Sequence, residues 1–160
     1  RNELPEGPGR LGGVDVLRFP VEEERDLAAF NAFAEPLYVR ERTHDEELEF
    51  LRRQGPHAPR LVEALRAQKD RFAAVVFFTY LYSPTYWGLA AAPERAALVP
   101  TTHDEPPLRF GIYREVFARP RAFGFEDVSG LPWIEIDFPE DVARAGAEIL
   151  PAIRRDYPDF

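Results

Sequence analysis

The chain predicts a parallel α/β domain, because continuous β-prone apolar runs alternate with segments whose apolar residues recur at helical spacing. Two runs carry the strand reading, Ala73–Tyr80 (AAVVFFTY) and Ala96–Val99 (AALV). Helix-periodic segments precede the first run, separate the two and follow the second. Runs that are apolar throughout are expected of strands covered on both faces. In such sheets ligands bind outside the carboxyl ends of the strands.

Composition sets the outer bounds. The 160 residues are 45% hydrophobic with 13 Phe, 6 Tyr and 2 Trp, enough to fill a core. A net charge of -8 leaves no Lys/Arg surplus to neutralise phosphates, which excludes nucleic acid and anionic membrane surfaces as expected partners. With no cysteine there is no disulfide framework, thiol nucleophile or Cys-based zinc site, and the three His have no metal-ligand spacing. The longest apolar stretch, Ala73–Leu81, falls short of the roughly 20 residues that span a bilayer. With no signal-peptide pattern at the start, the expectation is a soluble, cytoplasmic protein with no integral membrane segment.

Residues 1–13 carry Pro5, Pro8 and four Gly and read as a flexible lead-in, and Val14–Phe19 reads as a first strand. Over Glu22–Tyr38 the residues Leu27, Phe30, Phe33 and Leu37 recur at helical spacing, with Pro36 forcing a kink or restart. A capping box at Thr43 and Glu46 opens a second helix that buries Leu48 and Leu51 and stops at Gly55-Pro56. A third helix covers about 59–69, with Leu61, Val62 and Leu65 on one side. After the Ala73–Tyr80 strand comes a short helix near Thr85–Leu89, then the Ala96–Val99 strand, the polar loop Thr101–Pro107, a helix over about 109–118, and strand-like Ala122–Phe125. Glu126–Gly130 reads as a linker, followed by a strand Trp133–Ile136 and a helix over about 139–155 with Val142, Ala145, Ile149 and Ile153 facing inward.

Chemistry concentrates after the strands. In Thr101-Thr102-His103-Asp104-Glu105-Pro106-Pro107, His103 suits proton traffic near neutral pH, and Asp104 or Glu105 could orient it or accept a proton from a hydroxyl. The competing reading is that one of these acids caps the next helix. Tyr80, Tyr82, Thr85 and Tyr86, together with Thr102, could contact a sugar ring; the aromatics could equally pack between helix and sheet. Glu135 and Asp137 alternate onto one face of a strand and could hold Mg²⁺ beside a phosphate, while Asp137 also stands where an N-cap would. His44 and His57 have no partner of catalytic type and read as surface residues.

Four strings, Gly13–Pro20, Leu51–Pro56, Val76–Gly88 and above all Leu98-Val-Pro-Thr-Thr-His-Asp-Glu-Pro-Pro107, resemble family 4 glycosyltransferases over about residues 12–124. The resemblance implies a Rossmann-like, three-layer parallel sheet over 14–125, the N-terminal half of a GT-B fold, incomplete at its N-terminus. It places His103 beside a donor sugar in an interdomain cleft. The family's opening strand, glycine-rich loop and nucleotide-sugar-binding C-terminal domain have no counterpart among these residues.

Over about residues 127–155, Gly130–Ala145 is similar to the tail of sugar-nucleotidyltransferases and cytidylyltransferases, where acids matching Asp137 and Glu135 bind Mg²⁺. Residues 126–160 are therefore expected to form a nucleotidyltransferase-like strand and helix. The function expected is a glycosyltransferase-derived domain that transfers or binds a sugar from a nucleotide-sugar donor, with a sugar acceptor as second partner. It would be incomplete on its own, needing a homodimer or a partner chain. A non-catalytic binding or oligomerisation domain and a Mg-dependent nucleotidyltransferase remnant are the alternatives.

Overall fold

The computed structural model describes residues 2–124 and 139–156. The chain divides into two compact units, Arg1–Phe125 and Glu126–Phe160.

The first unit begins with a hairpin where a loop was expected. Strand β1 (Gly7–Leu11) pairs antiparallel with β2 (Val14–Arg18), Leu11 opposite Val14. Gly12 and Gly13 connect them with φ of 56° and 83°, the positive-φ pair that a two-residue hairpin turn requires. Gly-Gly between two short runs is that turn's signal, and it outweighs the loop reading that Pro5 and Pro8 suggest. β2 pairs with β1 alone and so stands outside the parallel sheet.

Helix α1 (Leu27–Val39) starts five residues later than its periodicity predicts. The preceding segment is held by other bonds: Glu22 N–H donates to His57 O at 2.8 Å, and Asp26 accepts from Ala29 N–H as N-cap. Pro36 neither restarts nor breaks the helix. Both Pro36 and Ala32, whose carbonyl loses its intrahelical donor, are exposed, so water meets the orphaned oxygen.

Helix α2 (His44–Gln54) opens with the expected capping box and ends at Gly55, whose φ of 67° favours glycine. Helix α3 (Pro59–Gln68) follows, with Val62 buried.

Strands β3 (Val75–Phe78), β4 (Ala96–Val99) and β5 (Ala122–Phe123) form a parallel sheet in the order β3-β4-β5, Phe77 opposite Leu98 and Leu98 opposite Phe123. Helices α4 (Ser83–Ala91) and α5 (Gly111–Ala118) make the crossovers between them. β3 differs from the fully covered strand its composition predicts: Val76 is 54% and Phe78 65% exposed. It is an edge strand, and its other side chains, Val75 and Phe77, take the helix-covered face.

The core lies between that face and the helices. Phe30, Phe50 and Phe110 stack across α1, α2 and the start of α5, with ring centroids 5.3 and 4.8 Å apart, while Tyr80 packs edge-on to Tyr113 at 4.9 Å. Gly88 lets α4 approach β3 closely, since a Cβ there would meet Phe77 Cζ at 3.0 Å.

In the second unit, residues 139–156 are helical throughout: α6 (Pro139–Arg144), a π-helical turn Ala145–Ile149, and α7 (Leu150–Asp156). Pro151 has no N–H for the carbonyl one turn back, and Leu150 N–H instead reaches Ala145 O. Val142, expected to face inward, is 58% exposed. The expected strand Trp133–Ile136, with Glu135 and Asp137, lies outside the described residues.

Candidate functional site

Two β-branched residues mark the site. Thr79 follows β3 and Thr101 follows β4, with φ of 60° and 46°. That conformation costs an L-residue about 1–2 kcal/mol and gathers at functional turns. The turns are locked together: Thr79 N–H donates to Val99 O at 2.9 Å, Tyr80 N–H to Pro100 O at 3.1 Å, and Thr85 Oγ1 to Thr79 O at 2.8 Å. The strand ends therefore open onto a loop whose geometry the sheet imposes.

Within that loop Glu105 is the focus. Its side chain is 20% exposed, and its Oε1 lies 4.0 Å from His103 Nδ1. Its charge reaches three phenols, those of Tyr80, Tyr113 and Tyr38. Burial, reinforced by Glu105, holds the Tyr80 phenol far above its usual range, so it remains a protonated donor. Tyr113 is raised the same way, by burial first, and donates to Leu81 O at 2.9 Å. Tyr80 is fully buried, and its hydroxyl has no partner in hydrogen-bond geometry, although Glu105 and Thr102 stand close enough to bias its proton.

The expected site residues separate on inspection. His103 and Glu105 come together; Thr102 lies beside them with its hydroxyl on its neighbour's carbonyl, His103 O, at 3.3 Å. Asp104 points away, 95% exposed and 3.9 Å from Arg109. Tyr86 is spent elsewhere, its hydroxyl on Glu115 at 2.9 Å and its ring under Arg119. Thr85 is buried and holds Thr79. Tyr82 lines a different hollow, beside α1 and the end of α2.

Neither Asp104 nor Glu105 caps the helix that follows. Glu47 of α2 does so, from 64 residues away in sequence: its buried carboxylate accepts from Gly111 N–H at 2.8 Å, Ile112 N–H at 2.9 Å and Arg42 Nε at 3.0 Å. Arg42 in turn donates to Arg109 O and lies over the Phe110 ring at 4.2 Å. The clamp fixes the far end of the site loop. Sequence reasoning misses it because Glu47 sits at an ordinary polar position of an amphipathic helix, and only the docking of α5 buries it. Tyr38 and Tyr113 are likewise readable only as packing positions.

Among the described residues no group of three or more His, Asp or Glu could hold a metal ion, and no helix is long and apolar enough to cross a membrane. The fold and site define a mixed α/β unit with its polar loop at the carboxyl ends of a three-stranded parallel sheet. No family model, curated protein or solved structure matches the chain.

Proposed function

We propose that residues 14–125 form the sugar-handling half of a glycosyltransferase, with Glu105, His103, Tyr80 and Thr102 at its polar centre. The observation that carries this reading is the pair of left-handed threonines at adjacent strand ends, framing a carboxylate beside a partnerless buried hydroxyl. In the reaction the acceptor hydroxyl oxygen bonds to the sugar's anomeric carbon as the bond from that carbon to the diphosphate oxygen breaks. Glu105 is placed to accept the acceptor's proton. His103, 65% exposed, can swing toward the phosphate charge that develops on the leaving group.

A second observation favours a partner surface. Val76 and Phe78 stand open on the sheet face away from α4 and α5, an apolar exposure suited to a second copy or another chain. A chain docked there would bring the nucleotide-binding residues. The test is calorimetric titration with UDP-glucose and GDP-mannose, each with and without Mg²⁺. Binding of one nucleotide-sugar that is lost in His103→Ala and weakened at least tenfold in Glu105→Gln supports the reading. Silence across the panel, or equal binding by both variants, overturns it.

A further inference from the structure

A second polar hollow lies where the Val21–Asp26 segment crosses the end of α2. It has a volume of about 480 Å³, in the range of small-ligand sites. Arg25, Gln54, Gly55, Pro56, Phe30 and Tyr82 line it, with Arg52 and Arg53 on one side and Glu23, Glu24 and Asp26 on the other. Its walls are tied together by main-chain bonds: Glu22 N–H to His57 O at 2.8 Å on one side, Ser83 N–H to Gly55 O at 3.3 Å on the other. The hollow is built by the fold.

Three features restrict what it can hold. Gln54 is 7% exposed and its Oε1 finds no donor among the described residues, an arrangement that buried amides rarely tolerate without a ligand or water. Gln54 lines the hollow, where a ligand hydroxyl can donate to that oxygen. Most of the wall's charge is already engaged, Arg52 with Glu23 and Glu49, Arg53 with Glu49 and Asp26 with Ala29 N–H, so neither a net anion nor a net cation is favoured. Arg25 carries no ion pair among the described residues and lies over the Phe30 ring at 4.3 Å, leaving N–H donors for a ligand oxygen. A neutral ligand with several hydroxyls suits these features, donating to Gln54 and accepting from Arg25, with the Tyr82 ring as an apolar face.

We infer that this hollow is a saccharide-binding site, separate from the loop around Glu105. For its ligand class the inference rests on the carbohydrate reading above.

The experiment is saturation-transfer NMR on the whole chain with glucose, mannose, galactose and rhamnose at up to about 100 mM, read together with the Gln54 side-chain amide and Tyr82 ring resonances. At least one sugar is expected to receive saturation and shift both residues. Gln54→Leu should weaken that binding tenfold or more, while its melting temperature stays level or rises because an unpaired buried oxygen has been removed. His103→Ala should bind the monosaccharide as wild type does, which separates this site from the loop. The inference is overturned if no sugar shifts Gln54 and Tyr82, or if Gln54→Leu binds unchanged. Loss of nucleotide-sugar binding in His103→Ala with the monosaccharide site silent would leave the transferase reading standing and remove this one.

Discussion

Replacing Glu47 by alanine should be a strongly damaging change at a polar position of the first unit. The carboxylate is 6% exposed and takes three donors, Gly111 N–H, Ile112 N–H and Arg42 Nε. A hydrogen bond to a charged group is worth roughly 1.5–3 kcal/mol. Gly111 is exposed and recovers water, whereas Ile112 is buried and does not. Arg42 keeps the carbonyls of Leu37, Arg40 and Arg109, so it is weakened rather than stranded. Losing the Ile112 bond without replacement and weakening the hold on Arg42 gives about 2–3 kcal/mol. That is a large share of the roughly 5–15 kcal/mol that holds a domain together. With a urea slope of about 2 kcal/mol per molar, the unfolding midpoint should fall by roughly 1–1.5 M, measured by circular dichroism. Glu47→Gln, which retains one acceptor oxygen, should lose about half as much. Because Arg42 also holds Arg109 at the end of the site loop, ligand affinity at Glu105 should fall in both variants. A loss under about 1 kcal/mol in Glu47→Ala would refute the clamp, since no arrangement of buried charge-assisted bonds is that cheap to remove.

Thr101→Gly relieves a left-handed threonine worth about 1–2 kcal/mol against a backbone-entropy penalty of about 0.5–1 kcal/mol; a net gain of roughly 0.5–1 kcal/mol in urea stability is expected, accompanied by weaker ligand binding. A stability loss there would remove the strain argument. Gly88→Ala pushes a methyl into the Phe77 ring and should destabilise by about 1–3 kcal/mol in the same assay. In acid, Glu46 and Glu49 act together. Bonds to Arg40 and the Thr43 N–H lower the Glu46 carboxyl to about 2, and bonds to Arg52 and Arg53 outweigh partial desolvation to bring Glu49 to about 2. Both are depressed below the usual carboxyl value near 4.3, so the stability they contribute is complete above that pH and is lost as pH falls toward about 2. Carboxyl-carbon NMR titrations should place both midpoints near 2; midpoints near 4 would show that these ion pairs are not held in solution.

What could be read from the sequence was what local chemistry specifies. Thr43 and Glu46 announce a helix start without help from the rest of the fold, and the apolar run through Val75–Phe78 announces a strand. The exposure of Val76 and Phe78 was not legible, because a strand's own residues do not say whether another layer will cover both faces of its sheet. The hairpin over Gly7–Arg18 was obscured by two prolines that suit an exposed strand as readily as a loop. At the site, His103 and Glu105 were visible as polar residues after a strand. The partners that make Glu105 its focus, Tyr38 and Tyr113, come from helices α1 and α5 and look like packing residues until the helices dock. Tyr86 shows the reverse: an aromatic in the expected place whose hydroxyl is already taken by Glu115, 29 residues further on.

The central claim is that the carboxyl ends of β3 and β4 receive a nucleotide-sugar. Its most direct test is an amide NMR titration of the whole chain with UDP-glucose and GDP-mannose. The account predicts saturable shifts at Tyr80, Thr102, His103 and Glu105 with one of the two, reduced in Tyr80→Phe, whose fold should be intact because among the described residues its hydroxyl is in hydrogen-bond geometry with none. Saturating shifts that map elsewhere, or none at these four residues, would contradict it.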